Sequence, residues 1–394
     1  MTGGDVVLVI LAMPVLVAAA YLAVLTLCSA RGASAVPCHT IRFDVIVPAH
    51  NEASGLAATI ASLFALEYPR NAFRIIVVAD NCTDSTATVA RGAGAIVIER
   101  QHAALRGKGY ALELGYGSSL ADGFAQAIVV IDADSSVSPN LLAAFAARFS
   151  DGADAVQAEY GVRNANASWR TRLMVIALTL FHTVRSLGRE RLGLSCGLRG
   201  NGMGFSAALL RRVPPRAFSI VEDVEYGIAL GLAGTRVVHV HEAEVRGDMP
   251  VSAQASATQR ERWEGGRLAL IRAHVPPLLQ AARQPRGRVP LDLAADLLVP
   301  PLTALGAAVV AGIGVASLLM WGGVASVAGV LPWALALAFL LAYVVRGAVL
   351  SRTGPRAILD LMWAPVYAAW KLTLLLRRKR PTGDWVRTAR PDET

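Results

Sequence analysis

Two stretches of this chain carry no charged residue, and they lie towards its two ends. Val6 to Leu27 is apolar throughout, and Leu297 to Val345 is apolar with a break at Trp321, Gly322 and Gly323. At about 1.5 Å per helical residue, the first stretch covers roughly the 30 Å hydrocarbon core of a bilayer. The second is long enough for two crossings. The pattern therefore predicts one N-terminal membrane helix and a C-terminal helical hairpin.

Between these stretches, short apolar segments alternate with segments of helical spacing. Strands are predicted at Phe43 to Val47, Arg74 to Ala79, Ala95 to Glu99 and Ala127 to Ile131. Helices are predicted at Ala53 to Leu66, Thr83 to Ala90 and Lys108 to Ser119. This alternation predicts an α/β domain with a mostly parallel sheet and helices on both of its faces. In such sheets ligands bind at the carboxyl ends of the strands, so the polar residues after each strand are the candidates for function.

Composition narrows the class of protein. Of the 394 residues, 54% are hydrophobic and 17% are charged, which excludes a disordered chain and is unusual for a soluble one. The net charge of +9 comes without a basic stripe interleaved with aromatic residues, so nucleic acid is not an expected partner. A membrane surface or an anionic small substrate fits better. The four cysteines lack Cys-x-x-Cys spacing, which argues against structural zinc and against a disulfide framework, and a reducing cytosol fits them.

The flanking charges predict the orientation in the membrane. Basic residues follow the hairpin, whereas the Gly-Gly turn inside it carries none, so the C-terminal tail and the central domain are expected in the cytoplasm. A cleaved signal peptide is the alternative for the first stretch, but no basic segment precedes it. Ala357 to Leu376 contains Asp360 and Lys371, which favours an interfacial helix over a fourth span.

Three predicted strands end in polar residues. The first is followed by His50-Asn51-Glu52, the second ends at Asp80, and the fourth is followed by Asp132-Ala133-Asp134. In an extended tip, residues two apart face the same way, so Asp132 and Asp134 could hold Mg²⁺ or Mn²⁺ that bridges a diphosphate. Lys108 lies between two glycines and offers a positive charge to phosphate; a solvated helix start is the alternative. Acidic residues after a strand can also be simple helix caps.

Two further motifs lie downstream. Glu222-Asp223 precedes a helix-like segment from Val224 to Leu232, and Gln259-Arg260-Glu261-Arg262-Trp263 opens a basic amphipathic stretch. With Pro-Ala-His-Asn-Glu, Asp80, Gly-Lys-Gly and Asp-x-Asp, these motifs form an ordered set. The set resembles the membrane-bound family 2 glycosyltransferases, the group that contains cellulose, chitin, hyaluronan and poly-N-acetylglucosamine synthases. The resemblance covers residues 41 to 265. One departure is Ala79, where many relatives carry a second acidic residue.

The resemblance implies roles in binding the donor. Asp80 corresponds to the carboxylate that accepts the uracil imide N–H, and Glu52 supports the nucleoside pocket. Lys108 would lie near the base and the phosphates. Asp132 corresponds to a residue that faces the ribose or the metal, and Asp134 to the direct ligand of Mg²⁺ or Mn²⁺. The implied donor is a UDP-sugar.

The resemblance also implies roles in the transfer itself. Asp223 would be the general base, although Glu222 could substitute for it. Arg262 would neutralise charge on the leaving diphosphate, and Trp263 would stack on a sugar. Residues expected at the diphosphate and the acceptor are Gln259, Arg260, Arg262 and Trp263. Gly200 to Gly204 falls where these enzymes shape the acceptor site, and a plain turn is the alternative.

The implied architecture is a GT-A cytoplasmic domain, α/β in class, between N-terminal and C-terminal transmembrane helices. The expected parts are an N-terminal anchor (1–30), a glycosyltransferase domain (41–265), an interfacial amphipathic segment (266–290), a transmembrane hairpin (291–346), and an interfacial helix with a basic cytoplasmic tail (347–394). The protein is expected in the inner or plasma membrane, in contact with membrane lipids. Accessory subunits cannot be deduced from the sequence.

The expected function is metal-dependent, inverting transfer of a sugar from a UDP-sugar to a hydroxyl acceptor, in polysaccharide synthesis. The acceptor is a glycan or a lipid, so one alternative is a non-processive glycolipid synthase similar to ceramide glucosyltransferase. Another is a catalytically silent membrane scaffold that binds nucleotide sugars. A soluble-type hydrolase is not expected, and His239 and His241 are expected to be structural because they alternate along an apolar strand.

Overall fold

The computed structural model describes residues 1–219, 221–249, 267–285, 287–351, 353–354 and 356–363. It divides into two compact units. The helical unit comprises Met1–Ala30, Arg172–Leu192 and Ala295–Arg380, and the sheet unit comprises Arg31–Thr171, Gly193–Ala294 and Pro381–Thr394. Each is described separately within the ranges above.

The helices and strands are numbered here in chain order. The strands are β1 Phe43–Ala49, β2 Phe73–Asp80, β3 Ile96–Arg100, β4 Ala127–Val130, β5 Ser136–Val137, β6 Ala155–Val162, β7 Met203–Ser206 and β8 Val237–Gly247. The first nine helices are α1 Gly3–Leu27, α2 Leu56–Phe64, α3 Thr86–Gly92, α4 Lys108–Asp122, α5 Leu141–Ser150, α6 Trp169–Leu178, α7 Arg185–Arg191, α8 Ala207–Arg212 and α9 Glu222–Leu232. The next five described helices are α10 Arg267–Ala281, α11 Arg288–Leu298, α12 Leu302–Trp321, α13 Val327–Leu350 and α14 Arg356–Asp360.

One eight-stranded sheet forms the sheet unit, in the order β3-β2-β1-β4-β7-β6-β8-β5. The first four strands in this order are parallel, as the alternation of segments predicts. The other half is mixed, because β7 runs antiparallel to β4 and β6, β8 runs parallel to β6, and β5 runs antiparallel to β8. The α/β class is therefore confirmed, and the parallel arrangement holds for one half of the sheet.

The strand β1 shows why the parallel half reads as a continuous apolar run. Phe43, Val45 and Val47 pack with residues of α2 and α5 on one face, whereas Ile46 packs with residues of α4 and α9 on the other. A parallel sheet covered by helices on both faces buries successive side chains in both directions, so neither face needs polar residues. The polar residues of this region are confined to the strand ends.

In the helical unit, α1 runs alongside α13. At the start of α1, the Thr2 hydroxyl donates to the Val324 carbonyl (2.9 Å) and Asp5 accepts from the Ser326 amide (2.7 Å). At the end of α1, the Arg346 guanidinium donates to Ser29 Oγ and to its carbonyl, both at 2.9 Å. The N-terminus and the α12–α13 turn thus share one end of the unit. This is the arrangement that a hairpin plus a single N-terminal span requires.

Small residues allow the helices of this unit to approach closely. A Cβ on Gly312 of α12 would collide with the indole of Trp333 on α13, and one on Gly188 of α7 would collide with the backbone of Leu25 on α1. Close crossings at glycine are typical of helices that pack in lipid. Three helices, α1, α12 and α13, are long and apolar enough to span a membrane.

The stretch from Trp169 to Leu187 carries three arginines among apolar residues. It forms α6, a π-helix at Thr179–Val184 and the start of α7, and Arg185 lies buried inside the helical unit. The Arg185 Nε donates to the Tyr343 hydroxyl (2.9 Å), which itself donates to the Leu180 carbonyl (2.8 Å). A π-helix shifts its carbonyls out of the regular ladder, and Tyr343 bonds to one of them. Of the predicted interfacial helix, only residues 357–363 lie in the described part of the chain.

Candidate functional site

The carboxyl ends of β1, β2 and β4 meet at one edge of the sheet, because these strands are parallel neighbours. His50, directly after β1, places Nδ1 2.7 Å from the carbonyl oxygen of Asp80 at the end of β2. The Ile131 amide, directly after β4, donates to the Ile46 carbonyl (3.0 Å). The three polar tips predicted from the sequence therefore converge.

The tips of β1 and β2 are joined through side chains that fix their loops. Asn51 has a positive φ of 54°, a conformation that asparagine tolerates better than most residues. Its Oδ1 accepts from the Thr83 amide (2.8 Å). The Glu52 amide donates to Thr86 Oγ1 (2.8 Å), and the carboxylate of Asp84 accepts from the Thr86 amide (2.9 Å). Asp84 thus accepts from the first amide of α3, and Glu52 belongs to the same pair of loops.

Asp80 is nearly buried and bound to an arginine that the sequence analysis did not select. Arg100 Nη1 lies 2.6 Å from Asp80 Oδ1, and Asn81 Nδ2 donates to the same oxygen (3.0 Å). The Arg100 guanidinium lies 5.5 Å from the ring centroid of Tyr110, which stacks on Phe218 at 4.5 Å. Arg100 pairs with Asp80 in the β2–β3 register, so a strand alignment would have pointed to it.

Lys108 begins α4, and the glycines on both sides of it serve the backbone. Gly107 has a φ of 122°, and a Cβ on Gly109 would collide with the carbonyl oxygen of Ala217. These two glycines bring the start of α4 against the segment ahead of α9. Gly-Lys-Gly is therefore a close-packing motif that aims the lysine inwards, rather than a solvated helix start.

The ammonium of Lys108 lies among carboxylates. Its Nζ donates to Asp132 Oδ1 (2.5 Å) and to the Gly200 carbonyl, and it lies 3.9 Å from Glu222 Oε1. Burial alone would lower the pKa of Lys108, but the charges of Asp132 and Glu222 outweigh burial and raise it. The lysine is therefore held in its charged form.

The Asp132-Ala133-Asp134 segment is a turn, so the extended tip expected from the sequence is wrong. The Ser135 amide donates to the Asp132 carbonyl (3.2 Å), which closes the turn. Burial raises the pKa of the Tyr160 hydroxyl, and the negative charges of Asp132 and Asp134 raise it further, so both carboxylates lie near this tyrosine. Tyr160 belongs to β6, in the half of the sheet that the strand pattern did not predict.

Glu222 and Asp223 lie in the first turn of α9, two residues earlier than the predicted helix start. Carboxylates are favourable there because the helix N-terminus carries partial positive charge. A Cβ on Gly200 would lie 3.3 Å from Asp223 Oδ2, so the Gly200 turn touches this carboxylate closely. Burial raises the pKa of Glu222 to about 7 and also raises the pKa of Asp223, while the charge of Lys108 acts in the opposite direction on both.

The oxygen atoms at this edge of the sheet suit a hard cation that a substrate also binds. Within the described ranges, no three side chains of His, Cys, Asp or Glu come together as a ligand group. Asp132 and Asp134 carry carboxylate oxygens, the kind of ligand that Mg²⁺ and Mn²⁺ prefer, and Mg²⁺ is commonly held by one or two carboxylates together with substrate phosphates. A diphosphate would supply the remaining oxygens.

Four predicted site residues, Gln259, Arg260, Arg262 and Trp263, lie outside the described residues. Met249 is the last described residue before them. Its amide donates to Asn164 Oδ1 (2.9 Å), and Asn164 Nδ2 donates to the Met249 carbonyl (2.7 Å). Arg163 forms an ion pair with Asp248. The described chain is therefore held up to residue 249 by residues that directly follow β6, and it continues at Arg267.

His239 and His241 lie on β8, away from the strand tips described above. His239 is buried, with Nε2 3.5 Å from Glu159 Oε2. Burial alone would lower its pKa, but bonds with Cys196 and Glu159 outweigh burial and raise it to about 9. These contacts lie inside the sheet unit and fit the structural role expected for this pair.

A family model described as "Glycosyltransferase like family 2" matches residues 41–266, which is more than half of the chain. The chain belongs to glycosyltransferase family 2. This family 2 protein is 25% identical over 263 residues to the probable glycosyltransferase YdaM of Bacillus subtilis, covering 64% of this chain and 60% of the relative. It is 30% identical over 205 residues to the uncharacterized glycosyltransferase Rv0539 of Mycobacterium tuberculosis, covering 48% of this chain and 86% of the relative.

The fold of this family 2 glycosyltransferase also resembles a solved structure. The mannosyltransferase PcManGT of Pyrobaculum calidifontis, determined in complex with GDP-Man and Mn²⁺, superimposes with a TM-score of 0.55 at 17% sequence identity. The similarity covers 95% of this chain and 100% of the mannosyltransferase. It confirms a GT-A-like architecture.

Proposed function

We propose that this family 2 enzyme transfers a sugar from a nucleotide-sugar donor to a hydroxyl acceptor, with inversion, at the cytoplasmic face of a membrane. One observation carries the proposal. A half-buried lysine, Lys108, binds Asp132 and approaches Glu222, and Asp223 lies against the same glycine turn whose carbonyl accepts from that lysine. The groups needed for an anionic donor and for proton removal therefore share one edge of the sheet.

Asp132 and Asp134 would hold Mg²⁺ or Mn²⁺. Bound there, the cation would neutralise charge that develops on the leaving diphosphate. Asp132 is the carboxylate that Lys108 contacts, so the lysine keeps part of this negative cluster compensated in the free protein. We propose Asp134 as the direct ligand, the role that the sequence resemblance implies for it.

The nucleoside would lie against the tips of β1 and β2. Glu52 lines the loop, and Asp80 with Arg100 presents a carboxylate beside a guanidinium. A carboxylate accepts the imide N–H of uracil, and it equally accepts the N1–H and amino group of guanine. We propose UDP-sugars as donors, with GDP-sugars as the competing class because the mannosyltransferase of similar fold was determined with GDP-Man.

Asp223 would act as the general base. Burial raises its pKa, and this makes the ionised form a stronger proton acceptor than an ordinary aspartate. As the acceptor oxygen attacks C1 of the sugar, the proton passes to Asp223 and the C1–O bond to diphosphate breaks. A single displacement of this kind converts an α-linked donor into a β-glycoside. Glu222 points into the same cluster and is the alternative base.

Arg262 and Trp263 would complete the site from the stretch that begins at Gln259 and Arg260. A guanidinium suits the leaving diphosphate because it can donate two parallel hydrogen bonds to phosphate oxygens. An indole suits the face of an acceptor sugar. These roles rest on the sequence resemblance.

The apolar helices α1, α12 and α13 would anchor the enzyme, with the sheet unit in the cytoplasm. A membrane-impermeant maleimide tests this orientation on intact cells that express the protein. The native cysteines should then be protected, and only Val324→Cys, in the exposed α12–α13 turn, should be labelled. Labelling of the unsubstituted chain to the same extent would contradict this orientation.

The decisive experiment incubates the detergent-purified protein with Mn²⁺ and a panel of UDP-sugars and GDP-sugars. We expect release of one nucleoside diphosphate and a product whose mass identifies the acceptor. A ladder of products would support polysaccharide synthesis, whereas a single glycosylated lipid would support the glycolipid alternative. Binding of a nucleotide sugar without turnover for any acceptor would support the scaffold alternative and contradict the proposal.

A further inference from the structure

Two buried side-chain amides, Gln157 on β6 and Asn201 in the turn before β7, connect the acidic groups of the site. Each has a relative exposure of 1%. Gln157 Nε2 donates to the Asn201 carbonyl (2.7 Å), and its Oε1 accepts from the Arg199 amide (2.9 Å). Gln157 thereby holds the turn of residues 199–202 at two points.

The side chain of Asn201 reaches from this turn to the metal-binding segment. Its Oδ1 accepts from the Asp132 amide (3.1 Å), and its Nδ2 donates to Ser135 Oγ (2.7 Å). Ser135 is fully buried, and its hydroxyl donates to Asp134 Oδ1 at 3.4 Å. One amide group therefore bridges both ends of the turn that carries Asp132 and Asp134.

The other side of the same glycine turn meets the remaining charged groups. The Gly200 carbonyl accepts from Lys108, and Gly200 packs directly on Asp223. Gly202 adopts a φ of 68°, and its carbonyl accepts from the Ala158 amide (2.8 Å). The turn of residues 199–202 thus lies between Asp132 and Asp134, which are assigned to the cation, and Asp223, which is assigned to proton removal. Strand β6 holds this turn through hydrogen bonds.

Building on the proposed function, we propose that Asn201, held by Gln157, is the positioning residue that shapes the Asp132–Ser135 turn for the divalent cation. Asn201 binds neither the cation nor the substrate. It fixes the backbone from which Asp132 and Asp134 project, and outer-shell partners of metal ligands commonly alter metal affinity or activity by about 10- to 100-fold when removed. The turn at residues 200–204, expected at the acceptor site or as a plain turn, would therefore act on the donor side.

The test measures Mn²⁺ binding without turnover, by electron paramagnetic resonance, in the presence of UDP and separately of GDP. The variants are Asn201→Ala, which removes both bonds to the Asp132–Ser135 turn, and Ser135→Ala, which removes only the hydroxyl. Ser119→Ala is the matched control, since Ser119 is equally buried and also donates to an aspartate, Asp44 (2.5 Å), at the other end of the sheet. Thermal melting reports folding for each protein.

We expect Mn²⁺ affinity to fall by about 10- to 100-fold in Asn201→Ala and by less in Ser135→Ala. Ser119→Ala should lower the melting temperature and leave Mn²⁺ affinity unchanged. Wild-type Mn²⁺ affinity in folded Asn201→Ala would overturn this proposal and leave the proposed function standing. If Asn201→Ala does not fold, wild-type Mn²⁺ affinity in Ser135→Ala would have the same meaning. Absence of Mn²⁺ binding with either nucleotide in the unsubstituted protein would overturn the metal-dependent function as well.

Discussion

Charged side chains cluster at opposite ends of the same parallel strands, and the two clusters differ in how their carboxylates are paired with cations. At the amino ends, Asp44 is fully buried and accepts two hydrogen bonds from Arg74 (2.8 Å each), and Arg74 also pairs with Asp122. At the carboxyl ends, Lys108 lies among the carboxylates of Asp132, Glu222 and Asp223.

This difference in pairing indicates that the amino-end cluster has a structural role. The amino-end cluster orients each carboxylate towards one guanidinium with good geometry, so it is complete without a ligand. At the carboxyl-end cluster, burial raises the pKa of two carboxylates, Glu222 and Asp223. Carboxylates whose pKa is raised by burial are typical of functional sites. The following predictions test this contrast, beginning with the largest expected effect.

Asp223→Asn should abolish most turnover at the carboxyl end. Loss of a general base typically lowers the rate by about 10²- to 10⁴-fold, and the carboxamide preserves the shape that packs on Gly200. The rate of nucleoside diphosphate release measures this effect, and nucleotide binding should be retained. Asp151→Asn, in an exposed position after α5, is the control and should keep the full rate. A wild-type rate in Asp223→Asn would remove this assignment.

Asp134→Asn should weaken metal-dependent binding of the nucleotide. The carboxylate supplies charge as well as an oxygen ligand, and we expect a loss of about 100-fold in affinity for Mn²⁺ with UDP or GDP. Isothermal titration calorimetry with and without a chelator measures it. Undiminished affinity that is insensitive to the chelator would show that Asp134 does not hold the cation.

Asp44→Asn should act on stability instead of activity. Removal of one partner of a buried ion pair costs about 3–5 kcal/mol because it leaves the other charge uncompensated. Asp122→Asn is the matched control on the same arginine, and its half-exposed pair should contribute about 0–1 kcal/mol. Chemical denaturation of the purified protein gives both values. A large loss of metal affinity in folded Asp44→Asn would erase the distinction between the two ends.

The smallest effect concerns pH. The folded-state pKa of Glu222 is raised to about 7 from its ordinary value of 4.5, so the folded protein retains a proton that the unfolded chain loses. This contribution to stability is fully present below about pH 4.5 and is lost as the pH rises through 7. Glu222→Gln should flatten the pH dependence of the melting temperature in this window. Glu113→Gln, exposed on α4, should not change it, and an unaltered profile in Glu222→Gln would count against burial of a protonated carboxyl.

Much of the site at the carboxyl ends of the parallel strands could be predicted from the sequence, because each strand and the polar residues after it are neighbours in the chain. Apolar runs identify β1, β2 and β4, and the polar residues that follow them must meet once the strands are parallel. Asp80 and Asp132 are predicted in this way, whereas Lys108 is predicted from its two flanking glycines. Arg100 is not predicted, because its relation to Asp80 depends on the pairing of β2 with β3. Tyr160 and Gln157 are not predicted either, because they lie in the mixed half of the sheet, which no local period indicates. The sequence singles out the turn that contains Asn201, but the contacts of Asn201 depend on the fold.

The sequence by itself determined the apolar spans, the α/β class and the identity of the acidic motifs, since each depends on short-range pattern and residue chemistry. Only the tertiary structure decided that Lys108 bonds to Asp132, that the Asp-Ala-Asp segment is a closed turn, and that Asn201 bridges it. These features depend on contacts between residues far apart in the chain. Their geometry follows from how strands and turns pack, which composition and spacing do not specify.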